Sequence, residues 1–182
     1  MKTVKSKLVR VFNTLFLGFG IIVIASCNPD NPQPNNPSTG TALQWNVTID
    51  GQTYSWQGSY PNSLGGGTAT AGSNGTSSQP FSIACVGPGG TSLGISLPVY
   101  NSGTYNLNLT NYALSNYIAV IINGTPNYST SYGGSVTVNV TQFPSNVNGV
   151  IKGNFIGTIG KSPALGGGTT PITGSFDALR SN

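Results

Sequence analysis

Beyond residue 40 no segment carries the three-and-four spacing of an amphipathic helix. Apolar residues instead alternate in short runs broken by glycine, proline and asparagine. The runs predict strands at 43–49, 52–57, 81–86, 92–98, 103–109, 117–122, 134–142, 149–159 and 171–179. Strands this short and this evenly spaced predict an all-β chain: a single antiparallel β-sandwich or barrel-like domain over 41–182.

The first hairpin can be read residue by residue. Leu43–Ile49 and Gln52–Gln57 flank Asp50-Gly51, a favoured two-residue loop because both positions need positive φ. That loop pairs Ile49 with Gln52, Val47 with Tyr54 and Trp45 with Trp56. One face then carries Trp45, Val47, Ile49, Gln52, Tyr54 and Trp56; the other carries Asn46, Thr48, Thr53 and Ser55, all polar. A slip of one residue would flip a whole strand, so the clean split supports this register.

The C-terminal third repeats a phrase. Ile151-Lys-Gly-Asn-Phe155 and Ile172-Thr-Gly-Ser-Phe176 both read Ile-x-Gly-x-Phe, with the three named residues on one strand face. An aromatic ring can cover the backbone that a neighbouring glycine leaves bare. Val136, Val138 and Val140 supply a matching apolar face, and the three segments predict a meander that closes the domain.

The N-terminus reads differently. Lys2, Lys5, Lys7 and Arg10 precede an apolar run from Val11 to Ile24, and small residues Ala25 and Ser26 lead to Cys27. A positive start, an apolar middle and small residues before a cut describe a secretory signal. The run is short of the roughly 20 residues that a membrane span needs. Asn28–Gly40 follows, rich in proline and asparagine and without an apolar side chain. It predicts a disordered, extended tether of roughly 40 Å, at about 3 Å per residue.

Ile24-Ala-Ser-Cys27 resembles a bacterial lipobox, with Ile24 where leucine is usual. The resemblance implies cleavage before Cys27, a diacylglycerol on its thiol and an acyl chain, commonly palmitate, on its amino group. Two or more chains anchor stably where one does not. The boundaries are then 1–26 for the signal peptide, 27–40 for the lipidated cysteine and tether, and 41–182 for the domain. The whole pattern resembles uncharacterised β-rich lipoproteins of the Bacteroidota type. The motifs that carry this are the lipobox, the polar tether, the Asp50-Gly51 hairpin, Tyr128-Ser-Thr130, Gly134-Ser-Val-Thr-Val138, Gly153-Asn-Phe155 and Gly174-Ser-Phe176. The resemblance implies a protein lipid-anchored in the cell envelope at the outer membrane, and leaves its periplasmic and exterior faces both open. It brings no activity with it.

Charge narrows the function. The full chain is +4, but four of its seven cations lie in the predicted signal. Lys152, Lys161 and Arg180 then balance Asp30, Asp50 and Asp177, leaving no basic footprint for nucleic acid. There is no histidine and no glutamate. That removes histidine-dependent triads, histidine-built zinc sites and most general-base chemistry. An Asp50/Asp177 carboxylate pair is formally open, but the turn already explains Asp50. Leu64-Gly-Gly-Gly67, Gly87-Pro-Gly-Gly90 and Leu165-Gly-Gly-Gly168 lack the Lys-Ser/Thr and helix of a phosphate loop. Cys85 shares a strand face with Phe81 and Ile83, the position of a buried, inert thiol. The expectation is no enzyme, no cofactor and no metal. Asn46, Asn108 and Asn123 head Asn-x-Ser/Thr triplets that composition alone explains.

Two roles remain. The first is a non-catalytic interaction domain that docks with an envelope protein through a strand edge; charge-free Gly134–Thr141 is a candidate edge, although the valines along one face favour an interior strand. The second is a neutral-glycan-binding module built on Trp45, Tyr54, Trp56, Tyr60 and Tyr100, or on a patch of Tyr60, Tyr112, Tyr117 and Tyr132. The shared face of Trp45, Tyr54 and Trp56 with Val47 and Ile49 favours core over platform for those three rings.

Overall fold

A computed structural model describes residues 41–60, 67–71, 81–98, 101–108 and 117–180. They lie in one compact unit, Pro37–Asn182. The predicted signal, Cys27 and the tether fall outside the described residues.

The described residues form ten strands: β1 (Thr41–Ile49), β2 (Gln52–Tyr60), β3 (Gly67–Ala71), β4 (Phe81–Val86), β5 (Ser92–Leu97), β6 (Gly103–Asn108), β7 (Tyr117–Ile122), β8 (Thr125–Gln142), β9 (Val150–Lys161) and β10 (Thr169–Arg180). All join one sheet. Followed strand to strand, the pairings β10–β3–β4–β5–β7–β8–β9 return to β10, so the sheet curls onto itself. Every pairing is antiparallel except β10–β3, where Leu179 and Arg180 run parallel to Thr68 and Ala69.

The hairpin forms in the predicted register, Ile49 to Gln52, Val47 to Tyr54 and Trp45 to Trp56. Asp50 and Gly51 take φ of 49° and 73°, as the tight loop requires. Inward-facing rows then run across six strands. Tyr54, Val47, Gly174, Phe155, Val138 and Tyr105 make one such row. The opposing strands β4, β5 and β7 contribute Phe81, Ile83 and Cys85, Leu93, Ile95 and Leu97, and Ile118 and Val120 to the same buried core.

The repeated Ile-x-Gly-x-Phe phrases meet as cross-strand neighbours. Phe155 lies opposite Gly174, and Phe176 opposite Gly153. Each ring lies over the other strand's glycine: a Cβ on Gly153 would sit 2.4 Å from Phe176 Cζ, and one on Gly174 2.4 Å from Phe155 Cζ. Both rings are buried. The two copies therefore interlock as a reciprocal pair, which lets two phenylalanines fill one sheet face at neighbouring positions.

One strand and the first half of another escape the sequence reading. β3 is short and built of glycine, threonine and alanine, with no aromatic or β-branched apolar residue to mark it. The first half of β8 was signalled by Asn123-Gly124, a favoured hairpin loop read only as an Asn-x-Thr triplet. Those residues take φ of 54° and 73° and join β7 to β8. The register along β8 shifts between Ser129 and Gly134, where Gly133 and Gly134 have φ of 124° and 84°. There β8 leaves β7 and continues between β6 and β9. Such bulges are how one strand turns the corner of a closed sheet.

Of the two readings of Gly134–Thr141, the interior one favoured by its valine face holds: the segment is paired with β6 on one side and β9 on the other. Among the described residues, β2 pairs only with β1 and β6 only with β8.

Candidate functional site

The Asp50 carboxylate gathers donors from three strands. Its turn carries it beyond the end of β1, beside β10, where Thr170 Oγ1 donates to Oδ1 at 2.6 Å. Tyr128 on β8 donates its hydroxyl to Oδ2 at 2.8 Å. Lys161, at the end of β9, places Nζ 2.8 Å from Oδ1. The bond from Lys161, followed by that from Thr170, holds the Asp50 carboxyl below its ordinary pKa, with burial opposing. Burial, aided by the bond to Asp50, pushes Tyr128 up to about 12. The tyrosine is thus a neutral donor, and the cluster is a clip between the first hairpin and β8–β10.

Asp177 stands elsewhere. It pairs across strands with Lys152 at 3.1 Å. Seven residues of β10 separate it from Thr170, roughly 23 Å of strand. A glycosidase pair needs its carboxyls within roughly 10 Å, so Asp50 and Asp177 do not form one. Among the described residues no three His, Cys, Asp or Glu side chains stand close enough to share a metal ion.

The aromatic candidates scatter. Trp45 is 1 % exposed, with Nε1 donating to the Val86 carbonyl at 3.4 Å. Tyr54 and Trp56 are half-buried and pack against the core. Tyr117 and Tyr132 are half-buried on different strands. The Tyr60 side chain, Tyr100 and Tyr112 lie outside the described residues. Cys85 is fully buried, and desolvation, with the Asp177 charge adding, raises its thiol pKa far above the usual value.

The outer face of β1, β10 and β9 carries a feature that the sequence reading missed. A groove of about 400 Å³ runs beside the hairpin turn, lined by Thr48, Asp50, Gly51, Ile156, Pro171 and Thr173. Thr48, Thr173 and Ile156 form one cross-strand row on this face. Around it stand Asn46, bonded to Ser175 at 2.7 Å, and Thr53, whose hydroxyl lies 2.8 Å from that of Thr48. On this polar surface Ile156 is 65 % exposed. The available signal was its parity: Phe155-Ile156 puts two large apolar residues in a row, so one of them must face outward. Pro171 fits because β1 has already turned away beyond Ile49, which pairs with Ile172. The missing N–H therefore breaks no ladder on that side.

Compared with protein-family models, with curated proteins and with solved structures, the chain matches none.

Proposed function

We propose that this chain is a lipid-anchored protein of the bacterial cell envelope, held at the outer membrane through Cys27. Its β-domain is a non-catalytic module that docks with another envelope protein by adding a strand to β2. The observation that carries this reading is β2 itself. It runs for nine residues at the end of the strand order without a charge or a proline. Natural edges are commonly blunted by such residues, and an unblunted edge offers its main chain to an incoming strand.

The charged groups fit a non-catalytic role. Asp50 is tied to Lys161, Asp177 to Lys152, and Arg180 donates to the carbonyls of Pro144 and Ser145, both at 2.6 Å. All five hold strands or loops together. The anchor rests on the resemblance of Ile24–Cys27 to a lipobox; the resemblance to Bacteroidota lipoproteins rests on that motif together with the polar tether, the Asp50-Gly51 hairpin and the Gly-x-Phe strands.

The two-residue loop makes Ile49–Gln52 the closing hydrogen-bonded pair, so amides along β2 alternate and those of Thr53, Ser55 and Gln57 point away from β1. Ser55→Pro removes one outward donor and spares the β1–β2 ladder. A photocrosslinker at Gln57 in living cells is expected to trap one discrete envelope protein. Ser55→Pro should reduce that product at least about tenfold, while melting stays within about 1 kcal/mol of wild type. Equal crosslinking from Gln57 and from Asn154 on the outer face of β9, unchanged by Ser55→Pro, would refute docking at this edge.

A further inference from the structure

We infer that the partner on the β2 edge is a second copy of this chain, whose own β2 lies antiparallel to the first about a two-fold axis at Trp56. This rests on the reading of β2 as a docking edge and names what docks there.

The phase of the backbone permits it. Residues at odd positions of β2, from Thr53 to Ser59, point their main-chain groups away from β1. An axis at Trp56 sets Thr53 opposite the second copy's Ser59, and Ser55 opposite its Gln57. Outward groups then meet outward groups along the strand, and all nine residues of Gln52–Tyr60 find a partner. The ladder so formed has about eight hydrogen bonds, two for each such pair.

The side chains match in the same register. Ser55 and Gln57, polar and uncharged, meet on the outer face. On the inward face Trp56 meets the second copy's Trp56, and Tyr54 lies opposite its Gly58. Both rings are half-buried against the core, at the flank of the sheet that no other described strand covers. A ring opposite a glycine is the device this fold already uses, with Phe155 opposite Gly174 and Phe176 opposite Gly153. There two copies of one phrase pair about a local two-fold within the chain. Tyr54-Ser-Trp-Gln-Gly58 carries a ring and a glycine four residues apart. An axis midway between them brings each ring opposite the other copy's glycine, so the phrase is complementary to itself.

Charge favours a second copy over an unrelated partner. Neither β1 nor β2 contains a charged residue, and Asp50 in the turn between them is tied to Lys161. Such an edge has no charge with which to steer or exclude a partner, so recognition falls to register and shape. From residue 41 onward three cations stand against two acids, which leaves little repulsion between copies. Two chains anchored in one membrane also meet at a raised effective concentration.

The test uses the full-length protein. In detergent, sedimentation should show a monomer–dimer equilibrium with a Kd of roughly 1–100 μM. Nothing larger is expected, because a two-fold pairing closes at the dimer. Ser55→Pro removes one donor from each copy, hence two hydrogen bonds across the axis, and should weaken the dimer at least about tenfold. Cysteines read the register in membranes. Opposed hydrogen-bonded residues have Cα atoms about 5.5 Å apart, within disulfide range. Co-expressed Ser55→Cys and Gln57→Cys chains should therefore form a mixed disulfide at least about fivefold more than either forms with itself. Thr104→Cys on β6 should form none. A monomer at every concentration, with Gln57 crosslinked to a different protein, would overturn the inference and leave the edge reading standing. Gln57 crosslinked to nothing would remove both. A ladder of larger oligomers, a dimer indifferent to Ser55→Pro, or Ser55→Cys pairing best with itself would also overturn the inference.

Discussion

Gly174→Ala is expected to cost at least about 3 kcal/mol and to leave little folded protein at 37 °C. A Cβ there would lie 2.2 Å from the Asn46 carbonyl oxygen and 2.4 Å from Phe155 Cζ. The carbonyl belongs to β1, which pairs with β10 at this point, so it moves only if the strands part. Gly153→Ala meets Phe176 Cζ at 2.4 Å and the Asn139 carbonyl oxygen at 2.8 Å, and should destabilise by a similar but smaller amount. Adding Phe176→Leu to Gly153→Ala removes the ring clash and should recover part of the loss. Gly166→Ala is the control: its φ is 85°, but its Cβ would meet nothing within 4 Å, so it should cost only about 1 kcal/mol. Urea unfolding of the four variants measures all of this. Equal losses at Gly174 and Gly166 would show that conformation alone matters and that the interlocked rings do not.

Asp50→Ala should destabilise by about 2 kcal/mol. It removes the acceptor for Tyr128, Thr170 and Lys161 and leaves the buried tyrosine hydroxyl without that partner. The figure is kept modest because the carboxylate is about one-third exposed, at 34 %. The same cluster predicts a pH dependence. The folded carboxyl is held below its ordinary value, so the unfolded chain takes up the proton first. Its contribution is complete above the unfolded value and is lost as pH falls through the lowered folded value. As pH falls from about 5 through the carboxylate range, wild type should therefore lose stability more steeply than Asp50→Asn. Parallel slopes would mean that the clip adds nothing to folding.

These two results probe the parts of the fold that the sequence made most and least legible. The reciprocal rings were readable, because Ile-x-Gly-x-Phe occurs twice at strand parity and such rings need a bare backbone beneath them. The hairpin register followed from Asp50-Gly51 and one apolar face. Strand β3 carried no apolar signal, since its stability comes from pairing with β4 and β10. The interior place of Gly134–Thr141 could be favoured from its valines but not fixed, because strand order is a long-range property. The Asp50 cluster was less legible still. Tyr128, Lys161 and Thr170 are 78, 111 and 120 residues from Asp50 along the chain, and only the closed sheet brings them together. Local reasoning assigned Asp50 to its turn, which is correct, and stopped there. Ile156 was visible as a break in alternation, but a single exposed isoleucine becomes informative only when its neighbours are known.

The functional account depends first on where the chain is held, and one measurement addresses that directly. The intact mass of the protein extracted from the membranes of its own cells should correspond to residues 27–182 plus a diacylglyceryl group and an acyl chain on Cys27. Under denaturing conditions it should show one reactive thiol, from Cys85. A mass without lipid, or a chain that keeps residues 1–26 and shows two reactive thiols, would contradict a lipid-anchored envelope protein.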